Sequence, residues 1–595
     1  MLVGCVALAT SCDLTENVQV KADKSMIFGS KSGLELYSNS FYKALPTLKN
    51  GFMQDKMCDV GAVSNTDTFI KQGAYNTETA TSWSWGALKN INYFIDGCND
   101  PKYCTVDDNT RDNYLGIARW FRAWFYYDKL TTYGEVPWFP HDIQSYQNDV
   151  MYKDRDSRDV IIRNLIADLD FAYEHIQATS STGSSTLTRW AAAALKSRVC
   201  LFEAAYRRYH NLTGLEITPE ELYREAAKAA KLVIDNSGCS LNTATGKKGA
   251  YRDLFYNETP LTQEVILAVC ANEKSGIFGE QNWWFNARSY GLCWSLVRSF
   301  VHTYLKLDGT PFTDAADYAV KSFTEEMEGR DLRLEQTVRG RNFLWDGKTA
   351  VADIKNLSLT GYQVIKYTLD ESKYDGGAKN INSIPLIRYA EVLLNYAEAQ
   401  AELGVITDSE WALTVGALRK RAGITGGTET LRTTVDGYLQ RTFYPDVTSP
   451  VLLEIRRERA IELVAEGMRF DDLRRWKCGS LMETLPWSGI HIPGLEQPVD
   501  VNGDGVDDYY FTEGEVTAAP AAYRNIAIRV NQDGVGLYAE ANAVAGYDLV
   551  YKTGAGDRYW YPDGRQYLYP IPAKVIRDYK NAGYTISQNP YWDNE

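Results

Sequence analysis

Apolar residues recur at helical spacing in four separated stretches of the chain. Between Thr110 and Tyr133, Leu115, Ala118, Trp120, Phe121, Trp124, Phe125 and Leu130 form one broad stripe, the three-to-four-residue repeat of an amphipathic helix. Gly134 follows as a C-terminal stop, and Pro137 and Pro140 keep the next residues extended. A partner helix is predicted from Ser157 to Ile176 on Val160, Ile161, Leu165, Leu169 and Ala172. Thr188 is placed as the N-cap of an alanine-rich helix with Ala191, Ala194, Leu195, Arg198, Phe202 and Ala205 on one face, and Pro219–Ile234 supplies its partner. A third pair starts near Pro385, with Ile387, Ala390, Leu394, Ala397 and Ala401 aligned and stops at Gly404 and Gly423. The fourth starts near Pro450 and stops at Gly467 and Gly479.

The expected fold is therefore mostly α, with helix pairs at about 110–177, 188–236, 385–423 and 450–479. One such pair cannot bury its own apolar face, so the pairs are expected to stack in the tetratricopeptide manner. Loop-rich insertions fill 237–384 and 480–595, with a short strand signal at Tyr567–Ile571. Loops of that length in a compact chain usually serve function.

Composition narrows the ligands. Of 595 residues, 63 are Lys or Arg and 77 are Asp or Glu, a formal charge of −14. That balance disfavours nucleic acid and anionic membrane as partners. No apolar run is long enough for a transmembrane helix. The 40 Tyr, 15 Trp and 20 Phe fill helix interfaces for the most part, and those left at the surface suit flat, amphipathic ligands such as sugar rings.

The first twelve residues read MLVGCVALATSC. A short apolar run ending in small residues and a Cys resembles the end of a bacterial lipoprotein signal and makes Cys12 the expected lipid anchor. No basic residue precedes the run, which departs from the ordinary signal. Residues 13–22 are polar and read as a tether. The ten cysteines show no CxxC pair. Cys98 and Cys104 are close enough in sequence to be bridged, and Cys200 reads as a small core hydrophobe.

Five motifs in order carry a family resemblance: Gly116–Trp138 (GIARWFRAWFYYDKLTTYGEVPW), the Ala-rich Thr188–Phe202, Ile384–Gly404 (IPLIRYAEVLLNYAEAQAELG) followed by Leu418–Gly423, Leu453–Trp476 (LEIRRERAIELVAEGMRFDDLRRW), and Tyr567–Trp592. Together they resemble the SusD/RagB family of outer-membrane lipoproteins. The resemblance implies one SusD-like domain over 23–595 and a surface-exposed, lipid-tethered position at the outer membrane. It also implies non-catalytic capture of oligosaccharide or polysaccharide for a SusC-like TonB-dependent transporter. An assembly or lid protein for that transporter, or a peptide or glycopeptide binder, is the alternative reading. In the 453–476 motif, Glu454, Arg457, Glu458, Arg459, Glu462 and Glu466 are read as ion pairs along and between helices. Exposed pairs of that kind contribute about 0.3–0.5 kcal/mol each.

A sugar site needs an aromatic platform beside amides, carboxylates or Arg. Gln281–Trp294 (QNWWFNARSYGLCW) is the densest candidate, with Trp283, Trp284, Phe285, Tyr290 and Trp294 next to Gln281, Asn282, Asn286 and Arg288. Trp83 is expected as an exposed ring at a helix start, with Trp85 packed inward. Tyr559, Trp560 and Tyr561 form a third, turn-rich candidate.

Asp500–Asp508 (DVNGDGVDD) places oxygen donors on Asp500, Asn502, Asp504 and Asp508, with the Val506 carbonyl between. Alternating hard oxygens around a glycine turn suit Ca²⁺, here as a structural brace for a long loop. Phe511 stands where such loops carry a bidentate Glu, with Glu513 or Glu515 nearby. The chain has no HExxH, GxSxG, P-loop or GxGxxG signature, and its five His are not spaced as ligands. The separation of carboxylate pairs for glycoside hydrolysis is not readable from sequence.

Overall fold

The computed structural model describes residues 24–48, 53–144, 146–286, 292–552 and 556–593. Cys12, the tether, Arg288 and Tyr290 lie outside them. The helices begin and end where local chemistry directs. Helix α1 spans Lys31–Asn39, α2 Gly86–Cys98 and α3 Asp108–Tyr133. The Asp107 carboxylate accepts the Thr110 amide at 3.0 Å to cap α3, and Gly134 closes it at φ +74°, a conformation that disfavours a side chain. Helix α4 runs Arg158–His175 under a Ser157 cap, α5 Arg189–Tyr209, and α6 Pro219–Asn236 under a reciprocal Thr218–Glu221 capping box. Thr188 precedes α5 as expected, but its side chain makes no capping bond.

The third pair departs from expectation at both ends. Ile384–Arg388 is a strand, β2, paired antiparallel with β1, Val265–Val269. Helix α7 starts only at Tyr389 and ends at Glu402. Four of the five β2 residues are buried, and a short apolar run buried on both faces has no helical or strand period of its own. The next helix is two, α8 (Asp408–Leu413) and α9 (Val415–Arg421), broken at Thr414. Pro450–Glu462 forms α10 and Arg469–Arg475 forms α11. In the C-terminal region Ser488–Ile492 (β3), Leu537–Ala541 (β4) and Tyr547–Tyr551 (β5) make an antiparallel sheet of order β4-β5-β3. The strand expected at Tyr567–Ile571 does not form: Tyr567 ends a 3₁₀ turn that starts at Arg565, 568–571 are irregular, and α12 (Ala573–Asn581) follows.

Helices pack in chain order: α3 on α4, α4 on α5, α5 on α6, α6 on α7 and α7 on α10. Helix α5 sits deepest, because Ala191–Ala194 let its neighbours approach while nearly all its residues are buried. No helix among the described residues is long and apolar enough to cross a membrane.

The charged helix α10 is the main correction. Glu454, Arg457, Glu458, Arg459 and Glu462 are all buried, so the expected exposed pairs are an internal network. Glu462 accepts Arg333 Nη1 at 2.8 Å, Arg388 Nη1 at 2.6 Å and Arg421 Nη2. Arg333 reaches Glu458 at 2.5 Å, and Arg459 clasps Asp472 of α11. Glu466, beyond α10, pairs with Lys366 and Arg388. Desolvation makes each charge dependent on its partners. The network thus holds the 237–384 insertion against α9 and α10.

Candidate functional site

Three sequence-distant segments build one cleft of about 800 Å³: residues 78–92, 139–152 and 572–579. Pro137 and Pro140 make the middle segment extended. The Tyr126 hydroxyl pins it, accepting the Phe139 amide at 2.7 Å and donating to the Pro137 carbonyl at 3.2 Å. The Ala573 amide donates to the Thr77 carbonyl at 2.9 Å and ties α12 to the first segment.

Aromatic rings line this cleft at steep angles. Trp83 and Trp85 meet at 5.3 Å and 73°, Trp85 and Phe139 at 5.2 Å and 80°, and Tyr152 and Tyr579 at 5.1 Å and 90°. The result is a cup, not a flat shelf. Both indoles are half-buried, so Trp85 joins Trp83 at the surface instead of packing wholly inward. The Tyr133 ring backs Trp83 edge-on at 4.9 Å. Polar groups rim the cup. Lys89 Nζ donates to Asp142 at 2.8 Å, His141 Nδ1 lies 2.8 Å from Asp96, and Lys574 pairs with Asp578 at 2.6 Å. Arg577 donates to Glu78 and holds that exposed carboxyl below its ordinary range. Each cation therefore has a carboxylate beside it.

The other predicted aromatic residues go elsewhere. Gln281–Asn286 is a short helix, and its amides are internal ties. Asn282 donates to the Leu369 carbonyl at 2.8 Å, accepts the Leu369 amide at 2.7 Å, and is fully buried with Gln281. Trp283 and Trp284 are half-buried, 4.9 Å apart, and do not line the cleft. Phe285 and Trp294 are sealed, the latter over Gly61, where a Cβ would sit 2.5 Å from the indole. Trp560 is only 5% exposed, with its ring against Gly479 and Tyr567, so it offers no face to a ligand. Sequence reasoning missed Phe139, Tyr152 and Tyr579. The Trp138–Pro140 extended run was a usable signal for Phe139, and nothing local marks the two tyrosines.

In the 500–508 loop, Asp500 accepts the Gly503 and Gly505 amides at 2.7 and 2.8 Å, Asn502 accepts the Asp504 amide, and Asp504 accepts the Val506 amide. Asp508 caps the Val501 amide at 2.8 Å. Burial first, and Asp500 and Asp504 beside it, push the Asp508 carboxyl above its ordinary range despite the amides it accepts. Among the described residues, no three His, Cys, Asp or Glu side chains converge as a metal group in this arrangement.

The model of the SusD family matches residues 263–592, more than half of the chain. The chain belongs to the SusD family. Its fold recurs in solved structures across nearly its whole length. A SusD-like protein from Bacteroides fragilis superposes with a TM-score of 0.65 at 20% identity, covering 96% of this chain and 98% of that one. A SusD-like carbohydrate binding protein from the same organism gives 0.66 at 18% identity, covering 93% and 99%. A SusD homolog from Bacteroides thetaiotaomicron gives 0.60 at 16%, covering 96% and 98%. No curated protein matches the chain. At these identities the likeness concerns the SusD fold alone.

Proposed function

We propose that this SusD-family protein is a non-catalytic, surface-anchored glycan-binding lipoprotein that captures oligosaccharide and passes it to a SusC-like TonB-dependent transporter. The observation that carries this reading is the aromatic cup of Trp83, Trp85 and Phe139 with its ring of paired charges. Indole and phenyl faces cover the C–H faces of a sugar, and the polar rim meets its hydroxyls. Because each rim cation is beside a carboxylate, the cup favours a neutral glycan. Glycoside hydrolysis needs a carboxylic acid held protonated near the bond, a role that Glu78, kept below its ordinary range by Arg577, does not suit. The lipid anchor is assigned to Cys12 by its position after the apolar run. Calorimetric titration of the chain against neutral oligosaccharides tests the reading. Saturable heat without release of reducing ends is expected. Silence toward every glycan, together with co-purification of a large β-barrel, would support the lid reading instead.

We also propose that Ca²⁺ braces the 500–508 loop by drawing Asp500, Asp504 and Asp508 from backbone amides onto the ion. At about a hundred times its Kd, the ion is expected to stabilise the fold by about 2.7 kcal/mol. Thermal denaturation with Ca²⁺ against chelator measures this. An equal melting temperature in both, or the same rise in Asp504→Ala, removes the site.

A further inference from the structure

A second cavity, of about 630 Å³, lies behind the cleft's aromatic wall. Ser82 and Tyr133 line it, while Trp83, which packs on Tyr133, faces the cleft. The Asp128 side chain is 67% exposed. Yet burial raises its carboxyl above the ordinary range against the lowering by Lys129, and nearby Asp471 adds a smaller rise. Both facts hold together if the carboxylate faces solvent enclosed by protein.

Several polar groups here keep unused hydrogen-bonding capacity among the described residues. Among the described residues the Asp128 carboxylate has only Lys129 Nζ, 3.6 Å away. Lys129, itself 93% buried by its 7% side-chain exposure, makes one long bond of 3.4 Å to the Ser82 carbonyl. Arg198 commits Nε and Nη2 to Glu391 and the Leu386 carbonyl, and Nη1 makes no hydrogen bond among the described residues. The Tyr127 and Tyr569 hydroxyls likewise make none. Trp124 and Phe125, both half-buried, add apolar surface to the wall.

Unused donors and unused acceptors are thus present together, while the charges are matched in pairs: Asp128 with Lys129, Asp471 with Arg474, Arg198 with Glu391. Paired charges leave no net sign to attract an ion. A ligand whose groups both donate and accept completes such a set, and the hydroxyl is that group. We propose that this inner cavity is a second binding site, separate from the cleft, that takes a neutral monosaccharide or disaccharide through Asp128, Lys129, Arg198 and Tyr127. Its ligand class rests on the glycan reading above, but its geometry does not.

The test titrates the full chain with glucose, galactose, mannose, xylose, N-acetylglucosamine and disaccharides of them, following heat and tryptophan fluorescence, with alanine as a zwitterionic control. At least one short sugar is expected to bind. Asp128→Asn should weaken it about tenfold, as for a lost hydrogen bond to a charged group. Tyr127→Phe should weaken it as well, Trp124→Phe should diminish the quench, and Trp283→Ala, at a ring that lines neither cavity, should leave the affinity unchanged. A wild-type chain that binds long oligosaccharide but no short sugar overturns the cavity site and spares the cleft reading. Short-sugar binding lost in Trp83→Ala and kept in both Asp128→Asn and Tyr127→Phe overturns it too, because the cleft is then the sole site. Binding of alanine in place of sugars overturns the assigned ligand class.

Discussion

Glu462→Ala is expected to lower folding stability by about 3–5 kcal/mol, the cost of breaking a buried ion network from one side. The carboxylate is fully buried and is shared by Arg333, Arg388 and Arg421. Without it, three guanidiniums remain in the interior with less compensating charge. Glu462→Gln keeps the shape and an acceptor but loses the charge, so it should also destabilise. Lys231→Ala, which breaks an exposed pair with Asp235 on α6, should change stability by less than about 0.5 kcal/mol. Urea denaturation followed by circular dichroism compares them, and equal midpoints for Glu462→Ala and Lys231→Ala would contradict a network under strain of desolvation.

The same network sets an acid limit. Burial works to raise Glu462, but Arg421, Arg388 and Arg333 outweigh it and hold the carboxyl well below its ordinary range. In the insertion, burial again opposes ionisation of Glu326, but the His302 hydrogen bond and the Arg298 guanidinium hold it down to about 2. A depressed carboxylate stabilises the fold fully above its unfolded pKa, about 4.3 for Glu. That stability is lost as pH falls from there through the folded value. The wild type should therefore lose stability between about pH 4 and 2, and Glu462→Ala should lose less over that window, having less to titrate.

Trp83→Ala is expected to weaken oligosaccharide binding by about 2 kcal/mol or more, roughly thirtyfold, as for a central aromatic contact. Its indole meets Trp85 as a corner of the cup and is braced by Tyr133, so it offers a rigid face. Trp283→Ala is the contrast. Trp283 sits in the insertion, away from the cleft lining, and its loss should leave that affinity unchanged. Calorimetry with the best glycan from the panel reads both variants. Should Trp283→Ala carry the loss and Trp83→Ala none, the binding surface belongs to the insertion.

Much of the helical frame was legible because its signals are local. A stop at Gly134 or Gly404 and the apolar stripe before it act within a few residues, whereas Thr188, the one cap read from the sequence, precedes α5 without making a capping bond. Where local signals were silent or shared, reading stopped. Ile384–Arg388 has an apolar run that either a strand or a helix could bury, and its pairing with Val265–Val269 decides between them. Trp83, Trp283 and Trp560 look alike as sequence. The first lines a cleft, the second stands in the insertion, and the third is shut against Gly479.

By itself, the sequence determined the helix order, most helix limits and membership of a family whose motifs are scaffold. Only the tertiary structure decided which charges lie inside and which rings line a cavity. Exposure is a property of what packs from elsewhere: α10 is buried by an insertion more than a hundred residues upstream, and the cup closes only when α12 returns to residues 77–85. Periodicity records which face a helix buries, but not which distant segment covers the rest.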